Sequence, residues 1–162
     1  MSLKKDNYKS SDKKIMNFAI RLAENNKYLT GTNPSVGCVI VKNNKIISEG
    51  FNEVTNKNDP TAHAEIIAIS SATNTLKDWR LSECSLYVTK EPCPMCAGAI
   101  INSRLNFVGF GAYDEKEGCC GSLYQLCGDP RFKTTVAVKG GILEKKCLGL
   151  LQEFFQSKRS LQ

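Results

Sequence analysis

Residues 84–112 of the chain read CSLYVTKEPCPMCAGAIINSRLNFVGFGA, and this stretch decides the fold class. The apolar run CSLYVT predicts a buried strand, and NFVGFGA predicts a second one. Between them, PMCAGAIINS predicts a short helix, which Pro94 opens in its favoured first position. A strand, a helix and another strand in succession indicate a parallel pair with a right-handed crossover. We therefore expect an α/β protein.

The segments on either side predict further helices and strands. Upstream we expect an amphipathic helix, a hairpin that turns at Asn43 and Asn44, and a second helix, in DKKIMNFAIRLAENN, VGCVIVKNNKIISEGF and AHAEIIAISSA. The first helix places four apolar residues on one face: Ile15, Phe18, Ala19 and Leu22. Downstream, TTVAVKG predicts a fifth strand and GILEKKCLGLLQEFFQSKR a closing helix. Without a repeat or a linker, the pattern indicates one three-layer domain over residues 13–159, preceded by a basic tail of residues 1–12.

Length and composition favour one globular domain. The chain has 162 residues, of which 41% are hydrophobic and 23% charged, enough for one core and too few for two ordinary domains. No apolar run approaches the ~20 residues of a membrane helix, and MSLKKDNYKS lacks the apolar stretch of a signal peptide. The sequence therefore predicts a cytoplasmic protein, in which eight cysteines stay reduced and most pack as small core residues.

Positive charge is concentrated at the two ends of the chain. Of the net charge of +6, residues 1–14 contribute +3 (five Lys, two Asp) and residues 139–162 contribute +3 (five Lys or Arg, two Glu). Residues 15–138 carry twelve charges of each sign and are neutral. This pattern predicts that any nucleic-acid contact is made by the termini, although basic ends also serve solubility.

Cys93 and Cys96 form a C-x-x-C clip that follows a strand and opens a helix. Such a clip is typical of a redox pair or of half a zinc site. The chain contains one histidine, His63, so any imidazole ligand must come from the segment DPTAHAEIIAI. Glu65 follows on an otherwise apolar element, where a carboxylate is rarely left without a partner. H-x-E followed by P-C-x-x-C is the signature of the zinc nucleobase deaminases.

The chemistry of these residues fits a catalytic zinc centre. Cys93 lies at a helix N-terminus, which favours its thiolate. Two thiolates and one imidazole leave a coordination position for water, whose pKa zinc lowers from about 15.7 to about 7. Attack by this hydroxide on an aromatic amidine still requires proton transfers, for which Glu65 is the candidate carboxylate. Spacing alone does not bring His63 and Glu65 together, because positions i and i+2 diverge on a helix.

Several longer segments resemble the bacterial tRNA-specific adenosine deaminases, which convert a wobble adenosine of the anticodon to inosine. These segments are DPTAHAEI, LYVTKEPCPMCAGAIINSR, GAYDEKEG, GSLYQL and GIL…LLQEFF, and they span nearly the whole predicted domain. The resemblance implies the cytidine deaminase-like fold, with a central mixed five-stranded sheet flanked by helices. It implies that His63, Cys93 and Cys96 hold one zinc ion per subunit and that Glu65 shuttles protons. It also implies a homodimer that acts on the anticodon stem-loop of a tRNA.

The resemblance implies roles for further residues. Asn52 in EGFN matches the asparagine that hydrogen-bonds the target base, and Asp114 in GAYDEKEG matches a residue near the target nucleotide. Four residues fall on the family's RNA-contacting C-terminal helix: Phe154, Phe155, Lys158 and Arg159. Phe154 continues an apolar stripe and should face the sheet, whereas Phe155 lies about 100° further round the helix and can stack on a base.

Other functions remain open at this point. Guanine deaminases also carry EPCPMC, so a deaminase of a free nucleobase or nucleoside, of guanine or cytosine type, is the second interpretation. A redox protein would leave His63 and Glu65 without a role. A zinc-stapled RNA-binding module would need a fourth ligand, such as Cys84 or Cys119. Two features depart from the family pattern. TNPSVGC resembles a segment of the riboflavin-pathway deaminases, and Lys90 puts a charge just before the zinc cysteines.

Overall fold

The protein folds as an α/β domain. The computed structural model describes residues 10–161, and within that range the chain forms five helices and five strands. In chain order they are α1 (Ser10–Asn26), β1 (Gly37–Lys42), β2 (Lys45–Phe51), α2 (Val54–Lys57), α3 (Ala64–Leu76), β3 (Cys84–Lys90), α4 (Pro94–Asn102), β4 (Phe107–Ala112), β5 (Ala137–Lys139) and α5 (Glu144–Arg159). Every predicted helix and strand is present. The sequence does not predict the short α2, which has no buried residue and hence no apolar pattern.

A mixed sheet runs through the described part of the chain in the order β2-β1-β3-β4-β5. Strand β1 pairs antiparallel with β2 and β3, and β4 pairs parallel with β3 and β5. The parallel pairing of β3 and β4 around α4 confirms the predicted crossover unit. Asn43 and Asn44 close the predicted hairpin with positive φ angles, which asparagine tolerates better than most residues.

Helices cover both faces of this sheet, which confirms the three-layer prediction. The core beneath α3 and α4 includes Ile40, Ala68, Leu86, Ile100 and Phe110. The core beneath α1 and α5 includes Met16, Val39, Tyr87, Ile142 and Leu150. All eight cysteines are free thiols, and all except Cys93 are buried. None of the helices within residues 10–161 is both long enough and apolar enough to cross a membrane.

Helix α1 faces the sheet with small side chains. Met16, Ala19 and Ala23 are buried, whereas Phe18 is 50% exposed, so the prediction that Phe18 lies on the buried face is wrong. The physical reason is the close approach of the helix to β1. A Cβ atom on Gly37 would clash with the Ala19 carbonyl, and a backbone held this close leaves no room for a phenyl ring between helix and strand.

The N-terminal end of α1 is anchored to the sheet. This helix begins inside the predicted tail of residues 1–12, of which residues 1–9 lie outside the described residues. Asp12 is buried, and its Oδ1 accepts a hydrogen bond from the Tyr87 hydroxyl at 2.7 Å. Its Oδ2 lies 3.0 Å from Nζ of Lys139. These contacts connect α1 to β3 and β5.

Candidate active site

Two helix N-termini converge on the predicted zinc residues. His63 is the extended residue before α3, and Cys93 is the extended residue before α4, whose first residue is Pro94. Helix α3 packs closely on β2 at Gly50, which has no Cβ atom to clash with the Ala64 carbonyl. The two helices contact each other on the same face of the sheet. Both positive helix ends therefore meet at one place, which favours anionic ligands there.

The side chains of His63, Cys93 and Cys96 form a group that could hold a metal ion. Nδ1 of His63 lies 3.6 Å from Sγ of Cys93 and 3.6 Å from Sγ of Cys96. Zinc binds nitrogen at about 2.0–2.1 Å and sulfur at about 2.3 Å, and two such bonds at a tetrahedral angle separate N from S by about 3.5–3.6 Å. Donor type and spacing thus fit zinc. No fourth Cys, His, Asp or Glu joins the group among the described residues, as expected for a catalytic rather than a structural site.

The two thiols are protonated unequally. A hydrogen bond from the Cys96 thiol lowers the pKa of Cys93 to about 4, with help from His63 and against the effect of burial. The same bond holds the proton on Cys96 and raises the pKa of that thiol well above its ordinary value. The bond between His63 and Cys93 raises the pKa of the imidazole. At neutral pH Cys93 is therefore already a thiolate, the form that binds a metal.

Glu65 lies beside this group. It belongs to the first turn of α3, is only 5% exposed, and lines the same cavity as His63 and Cys93. Burial raises the pKa of its carboxyl, and a hydrogen bond from its own backbone amide partly opposes this effect. A buried carboxyl beside a set of metal ligands can exchange protons with a molecule bound there.

The cavity over these residues has a volume of about 300 Å³, at the lower end of the range for small-molecule sites. Asn52, which follows β2, is buried and lines the cavity. Its Oδ1 accepts a hydrogen bond from the amide of Val54 at 3.1 Å. The Nδ2 group is the donor that remains for a ligand. Asn52 is therefore both a turn residue and a member of the cavity wall.

Lys90, the charge that departs from the family pattern, is paired with Asp114. Its Nζ lies 2.7 Å from Oδ2 of Asp114, and both side chains are mostly buried. Burial acts to raise the pKa of Asp114, but the Lys90 ammonium and the backbone amides of Lys116 and Glu117 outweigh it and lower this pKa. Lys90 also lines the zinc cavity. Asp114 therefore lies next to the cavity with its charge already neutralised.

Glu91 is a residue of the site that the sequence analysis missed. It is buried, and its carboxylate accepts hydrogen bonds of 2.9, 3.1 and 2.9 Å from the backbone amides of Asp114, Cys120 and Ser122. These bonds hold the segment after β4 against the start of α4. The sequence did contain a signal, because KEPC places a carboxylate directly before the Pro-Cys pair, where it has no task in metal binding.

The four predicted RNA-contacting residues lie at the C-terminal end of α5 and do not line the zinc cavity. Phe155 is 51% exposed, and its ring meets that of Phe154 edge-on at 5.4 Å. Lys158 Nζ lies 5.5 Å from the centre of the Phe154 ring, and Arg159 is exposed. Phe154 does not join the core on the sheet, so that expectation is wrong. It lines a second cavity of about 420 Å³.

The loop between α1 and β1 separates the two cavities. Asn33 and Pro34 line the zinc cavity, and Ser35 and Tyr28 line the second cavity, beside the end of α5. The two cavities therefore lie on either side of this loop.

The remaining cysteines take no part in the ligand group. Within residues 10–161, neither Cys84 nor Cys119 joins His63 and the clip, so the four-ligand zinc staple is not formed. Cys120 and Cys127 are buried, with their sulfur atoms 3.5 Å apart.

A mixed sheet that carries a His-x-Glu helix and a Cys-x-x-Cys helix on one face defines a zinc-dependent deaminase of the cytidine deaminase type. Residues 9–112 match the family model described as the cytidine and deoxycytidylate deaminase zinc-binding region. The chain therefore belongs to this family of zinc-binding deaminases.

Relatives of narrower function cover most of the chain. The tRNA-specific adenosine deaminase of Haemophilus influenzae is 43% identical over 149 residues, which are 91% of this chain and 85% of that protein. A structure from studies of A-to-I editing by tRNA deaminases at the wobble position is 33% identical. Its TM-score is 0.78, over 84% of this chain and 97% of that one. A structure of guanine deaminase from Bacillus subtilis is 43% identical with a TM-score of 0.58, over 62% of this chain and 63% of that one. The predicted resemblance to the tRNA-specific enzymes is confirmed.

Proposed function

We propose that the protein hydrolyses adenosine to inosine at the wobble position of a tRNA anticodon. The observation that carries this proposal is one cavity that joins a set of zinc ligands to Glu65 and Asn52. The chain around this cavity is similar to tRNA-specific adenosine deaminases over most of its length. In the reaction, the bond between C6 of adenine and its amino nitrogen breaks and a C6–O bond forms, so that water is consumed and ammonia is released.

His63, Cys93 and Cys96 hold the zinc ion in this proposal. When bound, zinc supplies the Lewis acidity that makes a water molecule nucleophilic at neutral pH. The chain prepares for the ion by keeping Cys93 as a thiolate at the N-terminus of α4. Glu91 fixes the neighbouring segment and so keeps the wall of the cavity in place.

Glu65 moves the protons. Its carboxylate takes a proton from the attacking water and delivers it to the ring nitrogen beside the reacting carbon. It then moves the proton of the newly formed C6 hydroxyl to the amino group, so that the C6–N bond breaks and ammonia departs. Asn52 donates a hydrogen bond from Nδ2 to the base and thereby orients the ring.

The end of α5 supports an RNA substrate over a free base. Phe155 is exposed beside Lys158 and Arg159. An aromatic ring next to two cations suits stacking on a splayed base with phosphate contacts beside it. A free nucleobase would touch only the zinc cavity and would gain nothing from these residues.

The test is a variant that combines Phe155→Ala, Lys158→Ala and Arg159→Ala. Zinc content and folding should stay intact, while conversion of adenosine to inosine, read by sequencing total tRNA, falls strongly. The slope of the logarithm of tRNA affinity against the logarithm of salt concentration should become shallower by about one unit for each phosphate-binding cation removed. Lys145→Ala, an exposed change earlier on the same helix, should leave both measurements unchanged. A triple variant that edits tRNA as well as the parent would contradict an RNA contact at this helix end.

Deamination of free guanine is the second candidate, favoured by the 43% identity to a guanine deaminase. That likeness covers less of the chain than the tRNA-specific relative does. Ammonia release from guanine and from total tRNA, measured side by side, separates the two. Faster turnover of guanine would replace the first proposal with the second.

We also propose that the enzyme works as a homodimer in the cytoplasm. Between β4 and β5, apolar side chains are exposed by 50, 65 and 42% at Leu123, Tyr124 and Phe132. Exposed apolar side chains on a segment that Glu91 holds beside the zinc cavity suit a subunit contact. Eight free thiols suit a reducing compartment. Light scattering tests the dimer, and a fully active monomer of 17.9 kDa would contradict it.

A further inference from the structure

We propose that the groove between α1 and α5 binds the phosphate backbone of the substrate RNA beyond the reacting nucleotide. This inference rests on the proposed function and extends it to a surface outside the zinc cavity and the end of α5. The α1–α5 groove has a volume of about 750 Å³, and its wall includes Lys14, Asn17, Phe18, Arg21, Lys146 and Glu153.

The cations of the α1–α5 groove are not tied to carboxylates. Within the described residues, ion pairs occupy six other cations: Lys42, Lys57, Arg80, Lys90, Arg131 and Lys139. Lys14, Arg21 and Lys146 belong to none of these pairs, although Glu24 and Glu153 border the same groove. Lys146 instead donates a hydrogen bond to Oδ1 of Asn17 at 3.2 Å. The positive charge of cations without a carboxylate partner is not neutralised within the protein and can attract an anionic ligand.

Aromatic rings accompany these cations. The Arg21 guanidinium lies 4.5 Å from the centre of the exposed Phe18 ring. Lys27 Nζ lies 5.3 Å from the ring of Tyr28, which is 85% exposed. The Phe154 ring with its lysine, at the end of α5, continues the row. Cations that alternate with exposed rings are typical of surfaces that track a nucleic-acid strand, since the cations meet phosphates and the rings meet bases.

The α1–α5 groove leads towards the zinc cavity. Leu150 and Glu153 border both the groove and the second cavity. Residues 33–35 then lie between the second cavity and the zinc cavity. Because this row of cations and rings continues from a cavity that takes a nucleotide in the proposed function, RNA is a better occupant than an acidic peptide.

The length of α1 fits several nucleotides. Its 17 residues extend about 25 Å at 1.5 Å per residue. A surface of this length can run beside several nucleotides of a single strand. We therefore expect the α1–α5 groove to contact parts of the tRNA outside the anticodon loop.

The test compares two matched triple variants. The groove variant carries Phe18→Ala, Arg21→Ala and Lys146→Ala. The control variant carries Trp79→Ala, Arg80→Ala and Lys45→Ala. It likewise removes one aromatic residue, one arginine and one lysine, all exposed, but from elsewhere on the surface. Each is assayed on intact tRNA and on a linear oligonucleotide of the anticodon loop alone, over a range of salt concentrations.

For the groove variant, KM on intact tRNA should rise about tenfold, kcat should stay constant, and the salt slope should fall by about two units for the two lost cations. The loop oligonucleotide should react as with the parent, and the control variant should behave as the parent on both RNAs. An unchanged KM and salt slope on intact tRNA would overturn the proposal. So would equal losses on both RNAs, or the same loss in the control variant.

Failure of the proposed function gives a different result, because the parent itself would then edit neither RNA. In that case, fluorescence anisotropy of labelled tRNA still decides the inference. Tighter binding by the parent and the control variant than by the groove variant supports it, and equal binding by all three overturns it.

Discussion

The zinc cavity and the α1–α5 groove differ in how their charged groups are held. At the cavity, the Glu91 carboxylate accepts hydrogen bonds from three backbone amides, and Lys90 forms an ion pair with Asp114. Along the groove, Lys14 and Arg21 are exposed and form no ion pair within residues 10–161. Catalysis gains from groups that are already oriented when the substrate arrives. RNA binding gains from cations that keep their charge until phosphates neutralise it.

This comparison separates two kinds of change. A substitution in the cavity should alter metal content or kcat, because the groups there act on the reacting atoms. A substitution in the α1–α5 groove should alter KM and the salt dependence, because the groups there act on the rest of the substrate.

Loss of a ligand should have the largest effect. His63→Ala or Cys93→Ala should remove zinc, activity and much of the free energy of unfolding together, because metal binding and folding are coupled. Metal analysis per chain and chemical denaturation measure this. Cys119→Ala and Cys120→Ala should keep full zinc, since neither residue belongs to the ligand group. Zinc loss in Cys119→Ala would indicate a closed four-ligand site.

Glu65→Gln should separate the proton transfers from the metal. Zinc should remain bound, because Glu65 is not one of the ligands. The turnover number on tRNA should fall by about 10²–10⁴-fold or more, because one carboxyl serves two transfers. Steady-state editing rates and metal analysis on the same preparation measure this. Near-normal turnover would exclude the proposed role.

Acid should weaken zinc binding in two stages. Above the pKa of His63, which is raised from 6.5, binding releases one proton from Cys96, and the affinity changes about tenfold per pH unit. Below that pKa the imidazole must also lose a proton, so the change becomes about a hundredfold per unit. Protonation of Cys93 does not steepen this pH dependence until the pH nears the pKa of Cys93, which is about 4. Competition with a chelator measures both slopes, and one constant slope down to about pH 5 would contradict the raised pKa of His63.

Tyr87→Phe should destabilise the fold without affecting the site. The change leaves Oδ1 of buried Asp12 without its hydroxyl donor, which costs about 1–3 kcal/mol in the free energy of unfolding. Urea denaturation in the absence of RNA measures it, with Tyr28→Phe, at a side chain that is 85% exposed, as the control. Zinc content and kcat should stay at parent values. A fall in kcat would show that the anchoring of α1 and the zinc cavity are coupled.

Local patterns predicted most of the fold. The helices and strands follow from apolar periodicity and from the Asn43–Asn44 turn, and the parallel pair follows from the strand–helix–strand succession. The orientation of α1 did not follow, because apolar spacing places Phe18 on a helix face but says nothing about how closely the helix approaches the sheet. Glu91 was missed for a related reason, since its partners lie 23 to 31 residues away in the chain.

The sequence by itself determined the class of the protein and predicted the group of residues that could hold its metal. The chain has one histidine, and the C-x-x-C clip opens a helix, so local chemistry leaves few other ligand sets. Only the tertiary structure decided that Glu65 shares a cavity with His63, and that the cations of the α1–α5 groove have no carboxylate partners in the described chain. Packing between helices and sheet sets those distances, and a one-dimensional pattern does not contain them.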